Sequence, residues 1–153
     1  MQKRDWLLIV GLIFIAWIAD YATKQWAIKV LRPMPGLSFY GPFGLVFHRN
    51  PGAMLGTFSD LPPLLRVVTL STGGAFLIFI FSSIQYLLPK RSMLLRTGMS
   101  ILLGGILGNV TDRILSGSVV DFLVIKFPFW MSPAFNVADV VQWIGYVMIV
   151  FTL

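Results

Sequence analysis

Cysteine and glutamate are absent from the 153 residues, and histidine occurs once, at His48. The lack of cysteine excludes disulfides and thiolate chemistry. A lone histidine argues against a His-based metal site or a Ser-His triad. Charge is also scarce. Only 12% of residues are charged, 57% are hydrophobic, and mean hydropathy is +0.83. A soluble domain of this length could not bury so much apolar side chain, so the composition specifies an integral membrane protein of one domain. The net charge of +6 comes from scattered Lys and Arg, as expected near membrane edges. No basic run is long enough for a nucleic-acid arm, so nucleic acid is not an expected partner.

What remains on the acidic side is six aspartates. Asp5 lies beside Lys3 and Arg4, and Asp60 precedes Pro62-Pro63; both sit in polar surroundings. Asp20, Asp112, Asp121 and Asp139 lie in or beside hydrophobic segments. An ionisable group there is costly and is a functional candidate by default.

The apolar runs predict four transmembrane helices, at residues 6–31, 67–88, 93–115 and 135–153. The basic start and apolar core of the first run also resemble a signal peptide, but no small-x-small cleavage site follows and the pattern continues past Asp20. Ser100, Gly104 and Gly108, four residues apart in the third run, would let helices approach closely. Between the first two spans, residues 32–63 hold six of the nine prolines. There LSFY and GLVFHRN read as short strands about a Gly41-Pro42 turn. Residues 116–133 read as an interfacial loop or helix, marked by Pro128, Trp130 and Pro133. The expected fold is a membrane all-α four-helix bundle with a small extramembrane β element. Basic residues fall on both sides of such a bundle. Lys90 and Arg91, in the shortest connection, place the termini inside.

Five short stretches concentrate the polar groups. In FNVAD, Asn136 and Asp139 share a helix face, which suits either a helix cap or a site. In VVDF, Asp121 is either an ordinary loop acid or a partner for Asp139. In GNVTDR, Asn109, Asp112 and Arg113 share one face; a structural ion pair of Asp112 with Arg113 is the simpler reading. In DYATK, Asp20 and Lys24 are an i, i+4 pair. In HRNPG, Asn50 and Gly52 suit a tight turn or a ligand contact, with His48 and Arg49 interfacial. These segments converge on one membrane face. Two neighbouring carboxylates cannot both ionise cheaply, so they share a proton and can act as general base and general acid. That chemistry fits an aspartic peptidase. Buried aspartates would also serve a proton-coupled carrier, although the internal repeats usual in such carriers are not visible.

The five motifs DYATK, RNPGAMLG, GGILGNVTDR, VVDF and FNVAD, in this order along the chain, resemble the lipoprotein signal peptidase (signal peptidase II) family. The resemblance implies a membrane aspartic endopeptidase without cofactor or metal. It would act in the bacterial cytoplasmic (inner) membrane, with its site near the extracytoplasmic face. The substrate would be a prolipoprotein carrying a diacylglyceryl cysteine; membrane lipids surround the enzyme, and a monomer is expected. By the same resemblance Asp121 and Asp139 are the catalytic pair. Asp20, Lys24, Asn50, Gly52, Asn109, Asp112, Arg113, Asn136 and Ala138 support the site or bind substrate and inhibitor. Residues 39–58 correspond to the family's β-cradle. An inactive paralogue would lack one of the acids, and both are present. The sequence departs from the family pattern at Pro51, at Met54 and at Gln142-Trp143. Those positions bear on substrate fit and on sensitivity to antibiotics such as globomycin.

Overall fold

A computed structural model describes residues 3–34, 36–52, 58, 60–87 and 93–152. Met54, Lys90 and Arg91 lie outside the described residues. Helix α1 (Lys3–Val30) buries Ile9, Ala16, Asp20, Lys24 and Ala27. Successive steps of seven, four, four and three residues put these on one stripe. Much of the rest of α1 presents apolar residues outward, among them Leu7, Leu8, Phe14, Ile15 and Ile18. Helix α2 (Pro63–Leu87) opens on a proline, whose missing N–H costs nothing in a first turn. It buries only Gln85. A helix apolar on every side and yet uncovered suits a lipid environment.

Helix α3 (Met93–Ser116) is the central helix, with thirteen buried residues. Its small residues are the reason it can be. A Cβ on Gly104 would lie 2.6 Å from the Ile13 carbonyl oxygen of α1, and one on Gly105 would lie 2.6 Å from the Ala138 carbonyl oxygen. Leu102, Ile106 and Val110 pack with Ile78 and Phe81 of α2 and with Ile149. Ser100 is used differently. Its Oγ accepts from Gln85 Nε2 at 3.0 Å, and Arg96 Nη1 donates to the Gln85 carbonyl at 2.8 Å. Arg96 is therefore a buried tie between α2 and α3. Helix α4 (Val137–Val150) has 14 residues. Among the described residues α1, α2 and α3 are long and apolar enough to cross a membrane, and α4 is a shorter apolar helix.

Strands β1 (Ser38–Tyr40), β2 (Phe43–Asn50) and β3 (Val119–Ile125) form an antiparallel sheet in that order. Gly41, at φ 64°, and Pro42 make the two-residue turn between β1 and β2. The third strand corrects the expectation of an interfacial loop or helix over 116–133, and extends the sheet beyond 39–58. Val119 to Phe122 are all buried, because the strand is covered on both faces. Val120 and Phe122 pack on Ala27 and Leu31 at the end of α1. Asp121 faces the other way. A bulge between Leu45 and His48 sets the register, so that His48 pairs with Asp121 and Asn50 with Val119. Beyond β3 the chain turns back through a Lys126–Met131 bridge and pairs Phe135 with Leu123. This return leads directly into the first turn of α4.

Candidate active site

Asp121 stands near the middle of β3, with 2% of its surface exposed. Its Oδ1 accepts from Asn136 Nδ2 at 2.7 Å and its Oδ2 from Asn50 Nδ2 at 3.0 Å. The sheet explains the second bond. Asn50 pairs with Val119, so it lies diagonally across from Asp121 on the same face. Asn50 is held in turn by the Gly52 N–H, which donates to its Oδ1 at 3.0 Å. Burial pushes the Asp121 carboxyl up to about 7 and the negative charge of Asp139 adds to the rise; the two amide donors and Lys24 act in the opposite sense.

Asp139 comes from the first turn of α4. Asn136 is the N-cap of that helix, and the two residues form a capping box. The Asn136 backbone N–H donates to Asp139 Oδ2 at 3.1 Å, and the Asp139 N–H donates to Asn136 Oδ1 at 3.0 Å. The cap and the acid cluster are thus the same structure, so the two readings of FNVAD do not compete. Asn136 side-chain amide also reaches Asp121, and so it links both acids. Asn109 of α3 completes the ring. Its Nδ2 donates to Asp139 Oδ1 at 2.9 Å, and its Oδ1 accepts from Asn136 Nδ2 at 3.1 Å.

Beneath this ring lies a buried charge cluster. Lys24 Nζ is 2.6 Å from Asp20 Oδ2 and 3.2 Å from Asp112 Oδ2. It also donates to Asn109 Oδ1 at 2.9 Å. Lys24 and Asp20 are almost wholly enclosed, and a buried ion is tolerated only when paired in this way. Asp20 uses its other oxygen, Oδ1, to accept the Ala138 N–H at 2.8 Å, and Asp112 Oδ2, the oxygen that faces Lys24, also accepts the Val120 N–H at 3.1 Å.

The structure therefore brings Asp20, Lys24, Asn50, Gly52, Asn109, Asp112, Arg113, Asp121, Asn136, Ala138 and Asp139 to one end of the bundle. One pairing differs from expectation. The ion-pair partner of Asp112 is Lys24 rather than Arg113. Arg113 turns to backbone oxygens, donating to Asn109 O at 3.2 Å and to Gly52 O at 3.1 Å. That second bond pins the turn carrying Asn50. Gly108, expected only as a helix-packing residue, has an added role: a Cβ there would strike the Asp20 carboxylate. Arg49 is tied to Ser116 and Ser118 by its Nη1, which fixes β2 against the α3–β3 turn. Only the sheet register could have revealed that tie.

These features define an integral membrane protein in which four aspartates and three asparagines are gathered into one carboxylate–carboxamide cluster at the end of an apolar helix bundle. Residues 12–153 match the family described as Signal peptidase (SPase) II, and the chain belongs to that family. A lipoprotein signal peptidase of Wigglesworthia glossinidia brevipalpis is 30% identical over 151 residues, spanning 99% of this chain and 94% of its own. One of Nitratidesulfovibrio vulgaris is 35% identical over 152 residues, spanning 95% and 88%. In fold, the chain resembles a bacterial membrane enzyme solved by the in meso method at 2.3 Å. The TM-score is 0.83 at 23% identity, over 94% of this chain and 85% of that one.

Proposed function

We propose that this chain, acting as one domain, cleaves the signal peptide from bacterial prolipoproteins just before a diacylglyceryl-modified cysteine. Asp121 and Asp139 form the catalytic pair. The observation that carries this reading is their joint attachment to Asn136, which holds one acid by its side-chain amide and the other by its backbone. Two acids coupled so closely share one proton. The ionised member takes a proton from water as the water oxygen attacks the scissile carbonyl carbon. The protonated member then supplies the leaving amine as the C–N bond breaks.

The other residues support that chemistry. Asn109 and Asn136 orient the acids, while Asp20, Lys24 and Asp112 hold α1, α3, β3 and α4 together around them. Arg113 Nε is buried without a hydrogen-bond partner among the described residues and suits a substrate carbonyl near the Asn50–Gly52 turn. The three strands act as an extracytoplasmic cradle, and residues 135–153 form the fourth span. In this arrangement the enzyme sits in the inner membrane as a monomer. The scissile bond of a lipid-anchored substrate is presented to the acids at the membrane surface.

The test is cleavage of a purified diacylglyceryl prolipoprotein in detergent, with the product read by mass spectrometry. The expected product begins at the lipidated cysteine. An intact substrate after incubation with folded enzyme would refute the proposal, as would cleavage at another bond.

A further inference from the structure

Lys24 is a buried cation that the general acid–base scheme above does not use directly. Its position suggests a role in making the two acids unequal. An ammonium group only donates hydrogen bonds, so whichever Asn109 atom faces Lys24 must be the oxygen. Together with Asn136 Nδ2, which donates to the same oxygen, that fixes the Asn109 side chain with its NH2 toward Asp139. The Asn136 orientation is fixed independently. The Asp139 N–H is also only a donor, so it must face Asn136 Oδ1. Both oxygens of Asp139 consequently receive N–H groups, one of them from backbone in the first turn of a helix, where negative charge is favoured. Asp139 also keeps some solvent contact. Among the described residues Asp121 receives the side-chain amides of Asn50 and Asn136 and no backbone N–H, lies on a strand, and is only 2% exposed.

From this asymmetry we infer that Asp121 holds the shared proton in the resting enzyme, that Asp139 is the carboxylate that accepts the proton of water, and that Lys24 maintains this division by orienting Asn109. Lys24 is thus a positioning residue acting through Asn109. The inference rests on the peptidase reading and assigns the two roles that the reading leaves open. Arg113 of α3 and Asp121 of β3 interact electrostatically with Asp139; Lys24 of α1, with Asp20 and Asp112, lies behind Asn109, and His48 of β2 stands across the sheet from Asp121. Lys24 is the one cation among them that contacts an amide bound to Asp139.

The experiment is the pH profile of kcat/KM for full-length enzyme in detergent on the diacylglyceryl prolipoprotein, with thermal unfolding of each protein measured in parallel. Two variants are compared with wild type. Asn109→Ala removes the donor to Asp139. Lys24→Met combined with Asp20→Asn removes the buried cation without leaving Asp20 unpaired, and the asparagine oxygen still accepts the Ala138 N–H. Both variants are expected to move the acid limb to higher pH, because the ionised form of the pair loses a hydrogen bond or a nearby positive charge that favours it. The alkaline limb, set by loss of the Asp121 proton, should stay in place in Asn109→Ala; in the double variant it should rise as well, because Lys24 favours the charged form of Asp121. If the double variant does not fold, Asn109→Ala alone decides. Reduced kcat with an unmoved acid limb would overturn the inference and leave the peptidase reading intact. A moved alkaline limb with a fixed acid limb would assign the roles the other way and also overturn it. No cleavage by the folded wild type would defeat the peptidase reading and this inference together.

Discussion

Asp20 and Ala138, 118 positions apart in the chain, are joined by a 2.8 Å hydrogen bond from the Ala138 N–H to Asp20 Oδ1. Through it a carboxylate of α1 caps the open N–H end of α4, one residue before Asp139. The same carboxylate pairs with Lys24 through its other oxygen. Asp20→Ala should therefore loosen the first turn of α4 and leave Lys24 with Asp112 as its one remaining ion-pair partner among the described residues. Removing one partner of a buried ion pair costs about 3–5 kcal/mol. A marked drop in thermal stability together with loss of cleavage is expected in detergent. Asp20→Asn should retain more of both, since it keeps the acceptor for Ala138.

Gly108 faces that same carboxylate. A Cβ at Gly108 would collide with Asp20, whereas one at Gly11 would meet nothing within 4 Å. Gly108→Ala should reduce turnover by at least about tenfold, roughly 1.4 kcal/mol in transition-state free energy. Gly11→Ala should leave turnover unchanged and stabilise the helix slightly, by up to about 1 kcal/mol. Parallel activity and unfolding assays on the two variants check this contrast.

Much of this arrangement is legible in the sequence, and the part that is not has a physical reason. Helices α1 to α3 are visible as long apolar runs, and the aspartates stand out because membrane interiors reject them. The hairpin of β1 and β2 is announced by Gly41-Pro42. Strand β3 is hidden because VVDFLVI is covered on both faces. It shows no alternation, and periodicity cannot tell a short buried run of that kind from other structure. Its β-branched content between Gly117 and Pro128 was the available clue. The Lys24–Asp112 pairing was equally out of reach. In sequence Arg113 is adjacent to Asp112, and only the packing of α1 on α3 shows which cation meets it.

Asp121 makes stability depend on pH with a definite sign. Its carboxyl titrates near 7 in the fold, chiefly through burial, against an ordinary value of 3.8. The folded state therefore holds a proton that the unfolded chain releases. This contribution is complete below about pH 4, declines as pH rises toward 7, and is gone above it. The slope is at most about 1.4 kcal/mol per pH unit. Thermal unfolding from pH 4 to 8 should show the decline in the wild type, and Asp121→Asn should flatten it.

Asn136 serves as helix cap and as the link between the two acids. Asn136→Ala should lose about 1 kcal/mol of stability from the cap alone. Its effect on cleavage should be far larger, at about a hundredfold or more, or roughly 2.7 kcal/mol. Equal losses in stability and activity would mean that Asn136 is a cap and nothing more.

The most direct measurement is a cleavage assay on the diacylglyceryl prolipoprotein with wild type, Asp121→Asn and Asp139→Asn, each confirmed folded. Cleavage by the wild type and by neither variant is the predicted result, because a single acid cannot accept the proton of water and also supply the leaving amine. Normal turnover by either variant would contradict the account, since the remaining acid would then be working without the partner to which Asn136 joins it.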